Sequence, residues 1–170
     1  MITCLHSYTL RTLLVVTVVL FSFYTYSSVD YVDNDWSELE SAINAGSADT
    51  IMFNFSGTLV FTGTINVSRP VVLYNDAPGN VVFDGAGGGF TGFDVNPAGG
   101  TDVNFEGITF QDFTNGAIKL TEGQVYVSNC HFENNSAQYG GAICWLSGGV
   151  KLVVKNSSFF NNQANDNGGA

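Results

Sequence analysis

Three hydrophobic patterns follow one another along the chain. The first is an unbroken apolar run from Leu13 to Tyr26, preceded by Arg11 and followed by Ser27 and Ser28. It has the form of a secretory signal, and it falls short of the roughly 20 residues that a bilayer span needs. Thr25 and Ser27 offer a small-x-small cleavage pattern, with a retained signal anchor as the alternative. The second pattern is helical. Asp35-Trp-Ser-Glu38 places a capping acceptor three residues before a Glu, and Trp36, Leu39 and Ile43 fall on one face. This predicts a short amphipathic helix ending near Asn44 to Gly46. The third pattern begins at Thr50 and has a period of two: Ile51, Phe53 and Phe55, then Ile65 and Val67, Val71 and Leu73, Val81 and Phe83, Phe93 and Val95. Turn-forming clusters separate these pairs at intervals too short for crossover helices. The class is therefore all-β, with residues 1–28 as signal, 29–49 as a cap with a short helix, and 50–170 as the strand-bearing region.

The strand-bearing region repeats. Val103 to Phe110, Val125 to Phe132 and Leu152 to Phe159 align, their final Phe residues 22 and 27 positions apart. Each leads into a polar turn and a small-residue motif: Asn115-Gly-Ala-Ile118, Gly140-Gly-Ala-Ile143 and Gly168-Gly-Ala170. A unit this short cannot bury its own apolar face, so successive units must stack and share a core. Strands stacked in one direction about 4.8 Å apart form a parallel β-helix, here of about five coils. Equivalent residues then superpose: Phe110 on Phe132 on Phe159 as an aromatic ladder, and Phe105 on Val127 on Val154 as a second ladder. Asn129 and Asn156 share one corner, expected to be buried, and Asn135 and Asn162 share the next. Phe113 stands where the first repeat should have its Asn. Gly140 and Gly141, before Ala142 and Ile143, need backbone angles that side chains forbid.

Charge narrows the function. Asp and Glu number 15 against 5 Lys and Arg, a net charge of −10. Beyond the signal only Arg69, Lys119, Lys151 and Lys155 are basic. Nucleic-acid binding is excluded, because it needs clustered cations to displace counterions.

The motifs carry a resemblance. Phe132-Glu-Asn-Asn135 and Phe159-Phe-Asn-Asn162 have the form FxxN, while Gly140-Gly-Ala-Ile143 and Gly168-Gly169-Ala170 have the form GGA[ILV]. Alternating twice at repeat spacing, they resemble the polymorphic outer membrane protein repeats over Val103 to Ala170. The helix and coils upstream resemble the N-terminal entry of right-handed β-helix proteins of the pectin-lyase-like type. The resemblance implies a right-handed parallel β-helix, secreted or displayed at the cell surface, with a structural or adhesive role. Its implied partners are host-cell or extracellular glycans or proteins. Membrane attachment would come only through a signal anchor or a missing C-terminal region. The family's membrane barrel is absent, and the chain stops at Ala170 where Ile should follow, so the expectation is a piece of a longer reading frame.

The alternative is the N-terminal part of a polysaccharide lyase or glycoside hydrolase on the same architecture, its catalytic coils missing. A lyase needs calcium held by acids, plus Arg or Lys to take the α-proton, and no base here shares spacing with an acid cluster. A hydrolase needs two carboxyls on one cleft. Asp84, Asp94, Asp102, Glu106 and Asp112 could supply a pair, against the plainer reading of solvated outward positions. No catalytic residue, cofactor or metal ligand is assigned, although the acidic surface offers weak calcium binding. His131 points outward by the period of two and has no second ligand. Gly85-Ala-Gly-Gly-Gly89 lacks the Lys-Ser/Thr of a phosphate loop and reads as a turn. Cys130 and Cys144 can pair in an oxidising compartment, worth about 3 kcal/mol in the chain-entropy model, or serve as small buried hydrophobes. Asn54, Asn66, Asn134 and Asn156 head glycosylation sequons. Tyr126, Tyr139 and Trp145 are the aromatics available for sugar stacking.

Overall fold

The computed structural model describes residues 28–97, 99, 101–146 and 151–167. The apolar run Leu13 to Tyr26 and the Gly168-Gly169-Ala170 motif lie outside the described residues. The chain winds into a parallel β-solenoid of about five turns. It enters through β1 (Val29–Val32) and α1 (Trp36–Asn44). The first coil is β2 (Thr50–Phe53), β3 (Gly57–Val60) and β4 (Ile65–Val67), and the second is β5 (Val71–Tyr74), β6 (Val81–Asp84) and β7 (Phe93–Val95). The third is β8 (Asp102–Glu106), β9 (Ile108–Gln111) and β10 (Ile118–Leu120). The fourth is β11 (Gln124–Ser128), β12 (His131–Glu133), β13 (Ser136–Tyr139) and β14 (Ile143–Trp145). The last comprises β15 (Lys151–Lys155), β16 (Ser158–Phe160) and β17 (Gln163–Asn167).

Stacking these coils makes three flanks. Sheet I runs β1-β2-β5-β8-β11-β15, sheet II runs β3-β6-β9-β12-β16, and sheet III runs β4-β7-β10-β14, while β13 and β17 pair separately. The helix and the period-two strands stand where the sequence places them. Three features are not legible there: β1 joins sheet I in parallel with β2, Ser56-Gly57-Thr58 reads as a turn but runs into β3 of sheet II, and the polar turn after Phe132 straightens into β13.

Inward residues form one continuous core. Phe83, Phe93, Phe105, Phe110, Phe113 and Phe132 are fully buried, and most of their rings meet edge to face. From Phe110 onward the packing becomes regular. Phe110 stacks on Phe132 at 4.8 Å and Phe132 on Phe159 at 5.0 Å, each pair within 5° of parallel. Those separations match the strand spacing, so identical side chains repeat at the distance at which rings touch. Phe105, Val127 and Val154 pair in register as the second ladder.

Corners between sheets I and II turn on one left-handed residue. Gly107, Asn129 and Asn156 have φ of 75°, 53° and 50°. Asp112, Asn134 and Asn161 do the same on leaving sheet II, at 55°, 55° and 51°. Asn and Asp tolerate this region because their short polar side chains bond locally. Asn129 and Asn156 are exposed, contrary to the expected buried corner: in the left-handed turn their side chains project outward, and the Asn129 amide reaches Glu106 at 3.4 Å. Asn156 is thereby an accessible sequon, not a shielded one.

Asn135 carries the buried role instead. Its Nδ2 donates to the Phe110 carbonyl at 3.0 Å, and its Oδ1 accepts from the Phe113 N–H at 3.1 Å. Asn162 repeats both links one coil later, to the Phe132 carbonyl and the Asn135 N–H. Phe113 fills the equivalent place in the third coil and adds its ring to the core, which is why the ladder starts one coil late. Gly140 has φ of 54°, and an added Cβ would come 2.3 Å from the Ile143 carbonyl oxygen. Gly141 is needed for a different reason, since its Cβ would meet the Gln163 carbonyl oxygen of the next coil at 2.4 Å.

Helix α1 closes the N-terminal end. Asp35 caps it by accepting from the Ser37 and Glu38 N–H groups, with Leu39 and Ile43 fully buried beneath it. Glu38 reaches back past the cap to the Asp33 N–H at 3.0 Å. Arg69 fastens the other end of the helix: its guanidinium donates to the carbonyls of Ala42, Ile43 and Ala48 at 2.8, 2.7 and 2.6 Å.

Candidate functional site

Because alternate residues of every strand face outward, the solenoid displays in-register rows of side chains on each flank, and any site must be built from these rows. On sheet III, Asn66, Asp94 and Lys119 are neighbours across β4, β7 and β10. Lys119 Nζ lies 2.8 Å from Asp94 Oδ2, and the Thr121 hydroxyl donates to Asp94 Oδ1 at 3.3 Å. This flank satisfies its own charges.

Sheet II gathers acids. Asp84, Gln111 and Glu133 form one row, and Gln111 Nε2 donates to Asp84 Oδ2 at 2.9 Å. Asp112 stands at the adjoining corner, its carboxyl pushed above the ordinary value by loss of solvent and then by the charges of Asp84 and Glu133. His131 sits beside them, with one ring nitrogen against the Ser158 hydroxyl and the other 3.3 Å from Glu133 Oε2. Serine, imidazole and carboxylate therefore line up across two strands. The His131 and Glu133 side chains are 37% and 31% exposed, an open setting in which water competes for every developing charge. Of the five acids weighed as a catalytic pair, only Asp84 and Asp112 come together; Asp94 is on sheet III and Asp102 and Glu106 are on sheet I.

Sheet I holds a groove of about 340 Å³ lined by Val72, Asp102, Asn104, Glu106, Tyr126 and Lys155, with Val127, Ser128 and Val153 between them. Val72, Asn104, Tyr126 and Val153 make its central row, in register across β5, β8, β11 and β15. Tyr126 is held in place. Lys151 Nζ donates to its hydroxyl at 3.2 Å and lies 5.2 Å from the ring centroid, and the hydroxyl itself donates to Gln124 Oε1 at 3.5 Å. Tyr139 and Trp145, the other two aromatics singled out by sequence, stand away from this groove on β13 and β14 and are more exposed.

Cys130 and Cys144 are both free thiols. Cys130 faces inward, its Sγ near the Phe105 and Ser128 carbonyls, and burial pushes its pKa to about 11. Cys144 sits beside the outward Lys119, and its thiol is also raised by burial, against the pull of Lys119. The pairing left open by the sequence does not form, because strand alternation turns the two side chains to opposite sides of the wall. Gly85 to Gly89 is a turn, and at Gly85 an added Cβ would lie 2.7 Å from the backbone of Phe113.

Among the described residues no trio of His, Cys, Asp and Glu could hold a metal ion, and no helix is long and apolar enough to cross a membrane. Arg69, the one arginine beyond Arg11, has its donors on the carbonyls of Ala42, Ile43 and Ala48 and is not free to take a proton from a substrate. Sequence reasoning missed this role because the partners lie 21 to 27 residues away. No family model, no curated protein and no solved structure matches the chain.

Proposed function

We propose that the chain is an exported, right-handed β-helix module of the pectin-lyase-like type, related to the polymorphic outer membrane protein repeats, that acts as a structural or adhesive surface without catalysing a reaction. The observation that carries this reading is the set of outward rows in register over successive coils, above all Asn104, Tyr126 and Val153 on sheet I. A rigid flank repeating every coil suits many weak simultaneous contacts with extracellular glycans or proteins, whose avidity exceeds any single affinity. Right-handed winding is what parallel strands joined by same-sheet crossovers adopt in nearly every case. The apolar run after Arg11 supports export. The lysine and arginine positions support a non-lyase reading: Arg69 is spent on the cap and Lys119 on Asp94.

The test is binding by the chain at high density on beads to extracellular matrix and cell surfaces, against the same chain free in solution. Retention by the beads, much stronger than by the free chain, is the expected outcome. Reducing or unsaturated ends appearing on incubation with acidic polysaccharides and calcium would overturn it. One observation favours a second reading, a glycoside hydrolase: the Asp112 carboxyl, raised by loss of solvent and then by the charges of Asp84 and Glu133, has other carboxyls beside it, as a two-carboxyl site requires. In that case Asp112→Asn abolishes release of reducing ends from neutral glycans.

A further inference from the structure

We propose that the groove on the outer face of sheet I is a binding site for a neutral, hydroxyl-rich saccharide, with Tyr126 as the stacking platform and Asn104 and Glu106 as its hydrogen-bonding partners. This rests on the adhesive reading above and gives it a ligand class and an address. The first argument is size. A cavity of about 340 Å³ falls at the small end of the range for built ligand sites and suits one or two sugar rings.

The second argument is composition. A sugar ring presents a C–H face and a rim of hydroxyls that both donate and accept. The groove answers both: Tyr126 and Val153, with Val72 on the far side of Asn104, give its central row apolar surface, and Asn104 within that row and Asp102, Glu106, Ser128 and Lys155 around it supply acceptors and donors. These groups are also largely uncommitted. Among the described residues the side chains of Asp102, Asn104 and Lys155 make no hydrogen bond or ion pair, and Glu106 holds only the long contact to Asn129 at 3.4 Å. On sheet III, by contrast, the equivalent polar groups bind one another.

The third argument is rigidity. Lys151 and Gln124 fix the Tyr126 hydroxyl before any ligand arrives, so stacking on the ring costs little side-chain entropy. Charge selects against acidic sugars: two carboxylates face one ammonium in the groove, on a chain of net charge −10. Asp102 and Glu106 stand at opposite ends of β8, roughly 13 Å apart along the strand, which is too far to chelate one cation.

The experiment uses the full chain immobilised for weak-affinity chromatography of glucose, galactose and mannose oligosaccharides, with uronate and sulfated oligosaccharides alongside. Retention of at least one neutral series is expected. Tyr126→Ala should weaken it about tenfold or more, a loss of the size of one aromatic stacking contact. Asn104→Ala should weaken it several-fold and Tyr126→Phe, which keeps the ring but loses the contacts to Lys151 and Gln124, by less, while Tyr139→Ala should leave it nearly unchanged, with circular dichroism reporting that all four fold. The proposal is overturned if no neutral series is retained, if only the acidic ones are, or if folded Tyr126→Ala and Asn104→Ala bind as well as the parent. Beads of Tyr126→Ala that still adhere to matrix would defeat the groove alone; parent beads that do not adhere would defeat the broader reading.

Discussion

The first and last described coils are covered to opposite degrees. At the N-terminal end the innermost coil is roofed by α1, whose Leu39 and Ile43 reach zero exposure and whose C-terminal carbonyls are tied down by Arg69. In the last described coil the inward Phe159 and Val154 are 38% and 40% exposed, beside Trp145 and Leu146 on the coil before, while Phe160 faces outward in the row of Glu133. Inward-facing Phe159 has the partner below it that every ladder ring has, and among the described residues none above it. A coil therefore obtains about half its burial from each neighbour, and closing an end takes a separate device that the repeat itself does not contain.

Trimming a ladder ring tests that difference most severely. Phe132→Ala, with covered faces on both sides, should cost roughly 3–5 kcal/mol in urea unfolding, whereas Phe159→Ala, the same residue type one coil on, should cost about 1 kcal/mol. Equal losses would mean that the last coil is covered in solution. Arg69→Lys comes next. Losing the fork that spans three carbonyls should cost about 2 kcal/mol, read as a lowered midpoint without a change in slope. An unchanged midpoint would show that α1 needs no fastening.

Association sharpens the comparison from the other side. Among the described residues β15 and β16 pair on one side only, and an edge flanked by apolar side chains templates pairing, so the 170-residue chain should self-associate with concentration, and Val154→Lys should shift sedimentation toward the monomer. A parent chain that stays monomeric throughout would remove the open edge as a cause of association. The smallest effect lies in the middle of the molecule. Asp112→Asn places the residue of the two following corners into the same left-handed turn and should stabilise by roughly 0.5 kcal/mol. Folding raises the Asp112 pKa above 3.8, so its penalty is absent below that value and complete above the raised one. The advantage of Asn should thus shrink as pH falls through this window, and a constant advantage would leave the turn preference as its only source.

What was legible in the sequence follows from the range of the interactions involved. Phe110, Phe132 and Phe159 could be stacked from spacing alone, because a period of two fixes the inward face and the repeat fixes the height. Asn135 and Asn162 were legible for the same reason. Asn129 and Asn156 were misplaced because alternation fails at a left-handed corner, where one residue reverses the wall and turns its side chain out. The groove on sheet I was partly visible: the repeat alignment sets Asn104, Tyr126 and Val153 side by side, but Val72 joins them from a coil outside the aligned repeats. Arg69 was opaque for a similar reason, its partners being backbone carbonyls, which carry no sequence signature at all.

The asparagine ladder also sets a direction in time. Asn135 and Asn162 each donate backward, to the Phe carbonyl of the coil already wound, and the one forward link, from Asn135 Nδ2 to Asn162 Oδ1 at 2.9 Å, closes only when the later coil arrives on the earlier. A chain emerging from its N-terminus can therefore lock each turn as it is completed, on a template that is always finished first, with the helix-roofed coil as the starting block. Pulse-labelled amide exchange should find protection spreading from Ile51 toward Phe159. Protection arriving first in the regular coils around Phe132 would instead make the aromatic stack the nucleus, and growth would proceed both ways from it.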